Sequence, residues 1–400
     1  MRDFIANHVR DIPRSGIRDF FEVVQSMSDV ISLGIGEPDF ATPWHIREAA
    51  IFSLEKGRTG YTSNLGLPRL RQAIASHLAA RHDLTYDPKS EVLIAVGVSE
   101  AIDLALRAII NPGDEILYHE PCYVSYNPSI TLAHGIPVAV STREEEGFSL
   151  TAEALRASIT PRSKALLLNF PTNPTGAVLE GAELEKISRL CIEHDLLVLT
   201  DEIYCEIRYD GRAHTSIASL PGMRERTVYL NGFSKAYAMT GFRIGYACAP
   251  VALTEAMMKV HQYAILCAPI TAQEAAVEAI EHGAAPVEAM RREYELRRNY
   301  IVSAFADLGI PCNLPGGAFY VFPRVGVTGM TSRDFALGLL EQKKVAVVPG
   351  TAFGPCGEGY VRCSYATALP QIKKAMIRIG DFLEEQGVRP NSPLAAAMPA

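Results

Sequence analysis

The stretch EVLIAVGVSEAIDLALRAIINPGDEILYHEP at 91–121 determines the predicted fold. Its first part, EVLIAVG, is a short apolar run that favours a strand, and SEAIDLALRAII then repeats its apolar residues at helical spacing. The residues NPGD at 111–114 have the composition of a turn, and the apolar run EILYHEP follows them. The stretch therefore predicts a strand, a helix and a second strand, which is the unit from which parallel sheets are built.

The same alternation continues along the middle of the chain. Helical patterns such as GAELEKISRLCIEHD separate further short runs rich in Leu, Val and Ile. The runs are KALLLNF, DLLVLTD, TVYLNGF and FRIGYACAP. Runs of this kind are typical of strands buried on both faces, so we predict an α/β fold whose mostly parallel sheet is covered by helices on both sides.

The pattern changes after about residue 280, where the chain is long enough for a second unit. A long charged helix at 288–309 leads into short strands and a final helix near 371–386. We predict an N-terminal arm at 1–45 that joins a small domain, a large domain at 46–285, a small α+β domain at 286–387 and a disordered tail at 388–400.

Composition excludes several classes of protein. Charged residues make up 21% of the chain and the net charge is −7, so the sequence lacks the basic footprint of a nucleic-acid-binding protein. The eight cysteines form no C-x-x-C pair, and no histidine stands at zinc spacing beside them. Without a signal peptide or membrane span in the sequence, we predict a cytoplasmic protein with reduced cysteines, no metal cofactor and no membrane partner.

Polar or glycine-rich residues come directly after the predicted strands. In an open α/β sheet, ligands bind outside the carboxyl ends of the strands, so segments far apart in sequence should meet at one crevice. The segments are Gly97-Val98-Ser99, Pro121-Cys122-Tyr123, Asn173-Pro174-Thr175-Gly176, Asp201 and Ser234-Lys235.

Each of these segments has a chemical and a purely structural interpretation. Gly97 opens a helix whose backbone N–H groups could bind a phosphate, or it simply makes a turn. Lys235 could be a nucleophilic amine that forms a Schiff base, or one more exposed lysine. Arg243 and Ser234 could hold a phosphate together.

The remaining segments supply partners for an aromatic ring. Asp201 could pair with a protonated ring nitrogen or cap a helix, and Tyr204 could donate to a phenolic oxygen. Asparagine is common in turns for local reasons, so Asn173 could be no more than a turn residue. Tyr123 could stack on a ring or pack in the core. Taken together and in this order, the segments describe a binding site for pyridoxal 5′-phosphate (PLP).

Six motifs closely resemble those of the class I and II aminotransferases, the aspartate aminotransferase family of fold type I. They are SLGIGEPDF at 32–40, GYTSNLGLPRLRQAI at 60–74, NFPTNPTG at 169–176, TDEIY at 200–204, NGFSKAYAMTGFRIGY at 231–246 and YVRCSYA at 360–366. The resemblance covers about residues 31–382 and looks strongest to the prokaryotic aromatic-acid and aspartate aminotransferases.

The resemblance implies a role for each residue around the cofactor ring. Lys235 would hold PLP as a Schiff base and then carry the proton between the substrate α-carbon and the cofactor. Asp201 would keep the ring nitrogen protonated. Asn173 and Tyr204 would bond to the phenolic oxygen, and Tyr123 would stack on the ring.

The resemblance also implies a phosphate site and a dimer. The backbone at Val98 and Ser99, with Ser234 and Arg243, would bind the cofactor phosphate. Tyr61 would reach the phosphate of the neighbouring subunit's cofactor, which implies a homodimer with active sites shared across the interface.

Arg362 would bind the substrate α-carboxylate as a bidentate pair, with Asn173 assisting and the Gly36 backbone close by. The implied reaction moves an amino group from an L-amino acid to a 2-oxo acid, with 2-oxoglutarate expected, by a ping-pong mechanism. We recognise no second arginine for a distal carboxylate, unlike the aspartate enzymes that use one. The segments SGIRDFFE, EPDFATPWHIREAA and GYTSNLGLP resemble the prokaryotic aromatic-acid and aspartate branch of the family. An aromatic donor is therefore the first expectation and aspartate the second, and alanine or branched-chain donors stay open.

Two other functions use the same kind of site. A PLP-dependent C–S β-lyase would eliminate from its substrate rather than transfer an amino group. A non-catalytic PLP-binding module of a transcription regulator would usually carry an N-terminal DNA-binding domain, and the roughly 30 residues before SLGIGEP are too few for one.

Overall fold

The computed structural model describes residues 2–10, 12 and 28–387. The predicted tail at 388–400 and most of the predicted arm before residue 28 lie outside these residues. The α-helices of the described part are α1 Asn7–Arg10, α2 Trp44–Glu55, α3 Pro68–His82, α4 Gly97–Ile109, α5 Tyr126–Leu132, α6 Ala152–Ser158, α7 Gly181–Glu193, α8 Val251–Ala264, α9 Ile270–His282, α10 Ala284–Asp307, α11 Ser332–Lys343 and α12 Leu369–Glu385.

The strands form one large sheet and two small ones. The strand bounds are β1 Ile31–Ser32, β2 Val92–Ala95, β3 Glu115–Glu120, β4 Ile136–Ser141, β5 Ser163–Leu168, β6 Leu197–Asp201, β7 Thr227–Gly232, β8 Gly245–Cys248, β9 Tyr320–Val321, β10 Val345–Ala346, β11 Val348–Pro349 and β12 Val361–Ser364. The order of the seven-stranded sheet is β2-β8-β7-β6-β5-β3-β4, and the small sheets are β11-β12-β9 and β1-β10.

The large sheet is mostly parallel, which confirms the predicted fold class. Strands β7, β6, β5, β3 and β4 pair in parallel, and β8 is antiparallel to both of its neighbours, β7 and β2. Since β8 reverses the direction on each side, β2 runs the same way as β7. The carboxyl ends of six strands therefore lie along one edge of the sheet.

The apolar runs follow from burial on both faces of this sheet, because successive side chains of a strand point to opposite sides. In β5, Ala165 and Leu167 pack in the core that α4 and α8 cover. Their neighbours Leu166 and Leu168 pack in a second core, with α6 and α7. Both alternating sets of side chains therefore have to be apolar, and the sequence of the strand is one continuous apolar run.

A separate hydrophobic core lies around the short strands of the C-terminal part. It contains buried residues of α10, α11 and α12, together with residues of β9, β10 and β12. The parallel pair β1-β10 joins the segment after residue 30 to this region. The predicted domain boundaries at 45 and 285 stay a prediction.

Two further observations concern the whole of the described part. None of its helices is long and apolar enough to cross a bilayer. All eight cysteines lie within it as free thiols, and five of them are buried.

Candidate active site

One cavity of about 870 Å³ lies at the carboxyl edge of the large sheet. This volume is in the range of small-molecule sites in proteins. Its walls include eleven of the twelve residues that the sequence predicts for the site, all except Tyr61, which is 85% exposed. The eleven residues are Gly36, Val98, Ser99, Tyr123, Asn173, Asp201, Tyr204, Ser234, Lys235, Arg243 and Arg362.

Lys235 follows the end of β7 and points its amine into the cavity. The Nζ group donates a hydrogen bond of 2.6 Å to the carbonyl oxygen of Gly36. Burial and then the neighbouring Arg362 guanidinium lower the pKa of Lys235 to about 8, although the Glu37 carboxylate opposes the shift. A much larger fraction of this amine is therefore neutral, and so nucleophilic, at neutral pH than of an exposed lysine.

Asp201 is the last residue of β6 and is buried. Its Oδ2 accepts a hydrogen bond of 2.8 Å from the Tyr126 hydroxyl, and its Oδ1 accepts one of 3.2 Å from the Ile203 N–H. Burial raises the pKa of Asp201 to about 6 despite these bonds. A carboxylate in such surroundings is stabilised by a cationic partner, and a protonated ring nitrogen is a cation of that kind.

A chain of amides joins Asp201 to Arg362. Asn169 donates from Nδ2 to the Asp201 carbonyl oxygen at 2.9 Å, and its Oδ1 accepts the Asn173 N–H at 3.2 Å. Asn173 in turn accepts a bond of 2.9 Å at Oδ1 from Arg362 Nη1. This network fixes both asparagines, and it orients the guanidinium at the wall of the cavity.

The Arg362 guanidinium is buried between two aromatic rings. Its central carbon lies 4.6 Å from the centroid of Tyr320 and 4.9 Å from that of Phe353. Its Nε has no hydrogen-bond partner among the described residues. Arg362 lines the cavity, and a guanidinium in a cavity wall is suited to a carboxylate ligand because a carboxylate accepts two parallel bonds from it.

Tyr204 and Tyr320 form a buried pair of phenols whose oxygens are 2.8 Å apart. Burial raises the pKa of Tyr204 well above its usual value, so its hydroxyl keeps a proton to donate. Tyr204 lies three residues after Asp201, in the turn that ends β6.

The first turn of α4 provides the candidate anion site. Helix geometry leaves the N–H groups of a first turn without intrahelical acceptors, and the helix dipole favours an anion there. Gly97 has a φ of +77°, and a Cβ at this position would lie 2.7 Å from Nη2 of Arg243. The Arg243 guanidinium therefore lies directly beside the backbone that Val98 and Ser99 present to the cavity.

Three residues that sequence analysis did not select contribute to this cavity. Tyr126, Asn169 and Tyr320 hold Asp201, Asn173 and Tyr204 through the bonds above. Asn169 is the first residue of the motif NFPTNPTG, so the sequence could have identified it. The residues bonded to Tyr126 and Tyr320 are 75 and 116 residues away in sequence, so no local pattern could have identified these two tyrosines.

The residues of the cavity fit PLP. The chain presents an amine with a lowered pKa, a buried carboxylate, a phenol, a helix start suited to an anion and a guanidinium in the cavity wall. When bound, PLP supplies an electron sink that stabilises negative charge at the substrate α-carbon.

Comparisons with known proteins agree with this geometry. The family model for aminotransferase class I and II matches residues 28–379. The aspartate aminotransferase of Pyrococcus abyssi is 46% identical over 374 residues, which are 93% of this chain and 96% of that protein. Aromatic-amino-acid aminotransferase 2 of Thermococcus litoralis is 44% identical over 384 residues, 96% of this chain and 99% of that protein.

A solved structure shares the whole fold. The crystal structure of the aromatic aminotransferase from Pyrococcus horikoshii superposes with a TM-score of 0.89 at 46% identity, covering 93% of this chain and 100% of that one. These relatives favour amino transfer over the C–S lyase and regulator alternatives. The chain therefore belongs to the class I and II aminotransferases and is a PLP-dependent enzyme.

Proposed function

We propose that this aminotransferase takes an aromatic L-amino acid as its donor, aspartate being the second candidate, and passes the amino group to 2-oxoglutarate in a ping-pong reaction. The observation that supports an aromatic donor is the small number of cationic side chains in the cavity. Among the described residues that line the cavity, the cations are Lys235, Arg243 and Arg362. Each already has a proposed partner. A side-chain carboxylate, that of aspartate or of the acceptor 2-oxoglutarate, would therefore have to bind through uncharged donors, whereas an aromatic side chain needs no such partner.

The walls near Arg362 are suited to a flat apolar side chain. Tyr320 packs against the guanidinium and lines the cavity, and Ile35 and Val124 line it as well. Aromatic rings pack well against such walls in offset or edge-to-face arrangements. Relatives of this chain include both an aromatic-amino-acid and an aspartate aminotransferase, so only the charges and walls of the cavity distinguish the two donors.

The proposed roles of the residues follow their positions. Arg362, held by Asn173, binds the α-carboxylate of the donor and thereby positions the α-proton for removal. The free amine of Lys235 would accept that proton at Nζ. The Asp201 carboxylate stabilises positive charge at the ring nitrogen, and Tyr204 donates a hydrogen bond to the phenolic oxygen.

We also propose a homodimer in which Tyr61 contacts the cofactor phosphate of the partner subunit. Tyr61 is 85% exposed in the single chain and lies outside its own cavity. Other large apolar side chains are exposed close to Tyr61 in sequence. More are exposed on the segment at 263–266, which lies beside the segment after Tyr61 because Asn64 Nδ2 donates a hydrogen bond of 2.8 Å to the Leu266 carbonyl oxygen. They are Trp44, Ile51, Phe52, Leu54, Tyr263, Ile265 and Leu266. Exposed apolar groups of this number are typical of a surface that another chain covers.

A reducing, cytoplasmic location is part of the proposal. It is supported by the eight free thiols, five of which are buried as small apolar side chains.

The donor is tested by half-reactions without an acceptor. Purified enzyme is mixed with each amino acid in turn, and loss of the visible absorbance of the lysine-bound cofactor gives kcat/KM for that donor. We expect phenylalanine and tyrosine to react at least about tenfold faster than aspartate, a difference of about 1.4 kcal/mol in the transition state. Aspartate reacting faster than both would refute the aromatic donor, and the Lys235→Ala variant provides the blank.

A further inference from the structure

Two histidines and a glutamate converge on the far side of the segment that carries Lys235. His77 and His82 belong to α3, and Glu206 follows β6. The Nε2 atoms of His77 and His82 lie 3.4 Å and 3.1 Å from Glu206 Oε1. Each residue offers one ligand atom, and the three atoms all lie within 4.8 Å of one another.

We propose that His77, His82 and Glu206 form a binding site for a divalent transition-metal ion, with Zn²⁺ as the probe. Zinc binds imidazole nitrogen and carboxylate oxygen at about 2.0–2.2 Å, so two ligands of a tetrahedral ion stand about 3.3–3.6 Å apart. The two N···O distances are already close to this value. Two imidazoles and one carboxylate favour zinc over magnesium or calcium, which prefer oxygen ligands.

The charges of the cluster are compatible with a cation. The mostly buried Glu206 side chain presents one oxygen, Oε1, to both imidazoles, so a carboxylate is already placed beside the two nitrogen ligands. Arg81 Nη2 lies 3.3 Å from the other oxygen, Oε2, and its side chain is 64% exposed. Arg81 can therefore turn into solvent when an ion binds at Oε1, and solvent fills the fourth coordination position.

The location of the cluster determines what the ion does. Glu206 stands five residues after Asp201, and a cavity of about 10 Å³ adjoins the cluster. Its walls include His77 and Glu206 together with Phe233, Ala236 and Tyr237, which flank Ser234 and Lys235. An ion would fasten α3 to the turn after β6, behind the active site, so its effect is to stabilise the fold and not to take part in the reaction.

The experiment measures zinc binding by the PLP-loaded enzyme after dialysis against a chelator. Isothermal titration with Zn²⁺ is run on the wild type and on His77→Gln, Glu206→Gln and the matched control His282→Gln, an exposed histidine bonded to Glu278. We expect one ion per chain in the wild type and the control, and an affinity at least about tenfold weaker in the other two variants. Bound Zn²⁺ should raise the melting temperature of the wild type by a few degrees, and Mg²⁺ should leave it unchanged.

Equal zinc binding by all four proteins, or no zinc binding by the wild type, overturns the proposal and leaves the cluster as a hydrogen-bonded ion-pair network. The visible absorbance of the lysine-bound cofactor and the donor half-reaction show whether each variant is folded. If a variant is not folded, Co²⁺ added to the wild type decides. The visible bands of a four- or five-coordinate nitrogen- and oxygen-bound ion support the site, and their absence contradicts it.

Discussion

At the scale of single residues, the lowered pKa of Lys235 predicts how fast the cofactor-free enzyme takes up PLP. Only the neutral amine attacks an aldehyde, so the rate rises with pH until the amine is fully deprotonated. With a pKa of about 8, the rate should be half-maximal near pH 8 and level off about one unit higher. For an exposed lysine, with a pKa of about 10.4, the rate would keep rising to beyond about pH 11.

Stopped-flow absorbance after mixing with PLP measures this profile. Glu37→Gln gives a second profile, because removal of a carboxylate that supports the ammonium form should move the plateau to lower pH. A plateau above pH 10 in the wild type, or an unchanged plateau in the variant, would show that the cavity does not act on this amine as described. Lys235→Ala should give no absorbance change.

The raised pKa of Asp201 predicts that this residue lowers the stability of the cofactor-free protein at neutral pH while it supports activity. Burial raises its pKa from 3.8 to about 6, so the folded protein binds this proton more tightly than the unfolded chain. The resulting stabilisation is present below about pH 4 and is lost as the pH rises through about 6. At neutral pH, therefore, the cofactor-free protein bears the cost of a buried carboxylate.

Asp201→Asn removes this titration while an amide oxygen still accepts from Tyr126. Relative to wild type, the unfolding free energy of the cofactor-free variant should rise by about 1.4 kcal/mol between pH 5 and pH 8. Its aminotransferase activity should fall at least about 100-fold, because the charge that supports the ring nitrogen is gone. Urea unfolding at the two pH values measures the first effect, and a difference that is flat or falls with pH would contradict it.

The residues of the site differ in how far sequence predicts them. Lys235 and Asp201 stand directly after apolar runs, so the end of a strand marks them. Arg362 lies inside a short strand of the C-terminal part and has no such mark, and only the family resemblance selected it. Tyr126 and Tyr320 act through bonds to residues far away in sequence, which no local pattern encodes. The structure brings eleven of the twelve predicted residues to one cavity, all except Tyr61, and their individual roles stay predictions.

At the scale of elements, the contact between β8 and the start of α4 predicts a defect in cofactor binding. A Cβ on Gly245 would lie 2.7 Å from the carbonyl carbon of Gly97 and 2.7 Å from the nitrogen of Val98. Both are backbone atoms, so the strand or the first turn of the helix has to move. Gly245→Ala should weaken PLP binding by about tenfold or more, since it displaces the N–H groups that face the phosphate.

Gly241→Ala is the matched control, because no atom lies within 4 Å of its Cβ position. PLP affinity comes from titration of the cofactor-free proteins, and kcat is measured at saturating PLP. A Gly245→Ala variant that binds PLP as tightly as the control would show that the helix start is not the phosphate site.

Strand β8 shows a property of an element, its direction, that the sequence does not predict. The run FRIGYACAP has the composition of its parallel neighbours, since β8 is also buried on both faces. Such a pattern does not indicate the direction of a strand, because an apolar run packs equally well in a parallel or an antiparallel position. The parallel majority was predictable from the helices between the runs, whereas the reversal at β8 follows from the connection at 233–244, which contains no α-helix to carry the chain back to the other edge of the sheet.

At the scale of the whole molecule, the exposed apolar surface around α2 and the 263–266 segment is the feature that a single chain leaves unexplained. Burial of such a surface between two chains would make the dimer the stable form. It would also place each Tyr61 on the partner's side of the interface. The chain mass is 43.6 kDa, so light scattering after size-exclusion chromatography should give about twice this value.

Shared active sites predict that two defective chains restore one working site. Tyr61→Ala should weaken PLP binding, and Lys235→Ala should abolish turnover. In a hybrid of the two, the site that keeps Lys235 receives an intact Tyr61 from the Lys235→Ala partner. A hybrid isolated through two different affinity tags should therefore bind PLP at limiting concentration as wild type does and show about half of its activity, because one of two sites works. If Tyr61 acts within its own chain, the surviving site would keep the weak PLP binding of the Tyr61→Ala homodimer, and the hybrid would gain activity only at high PLP.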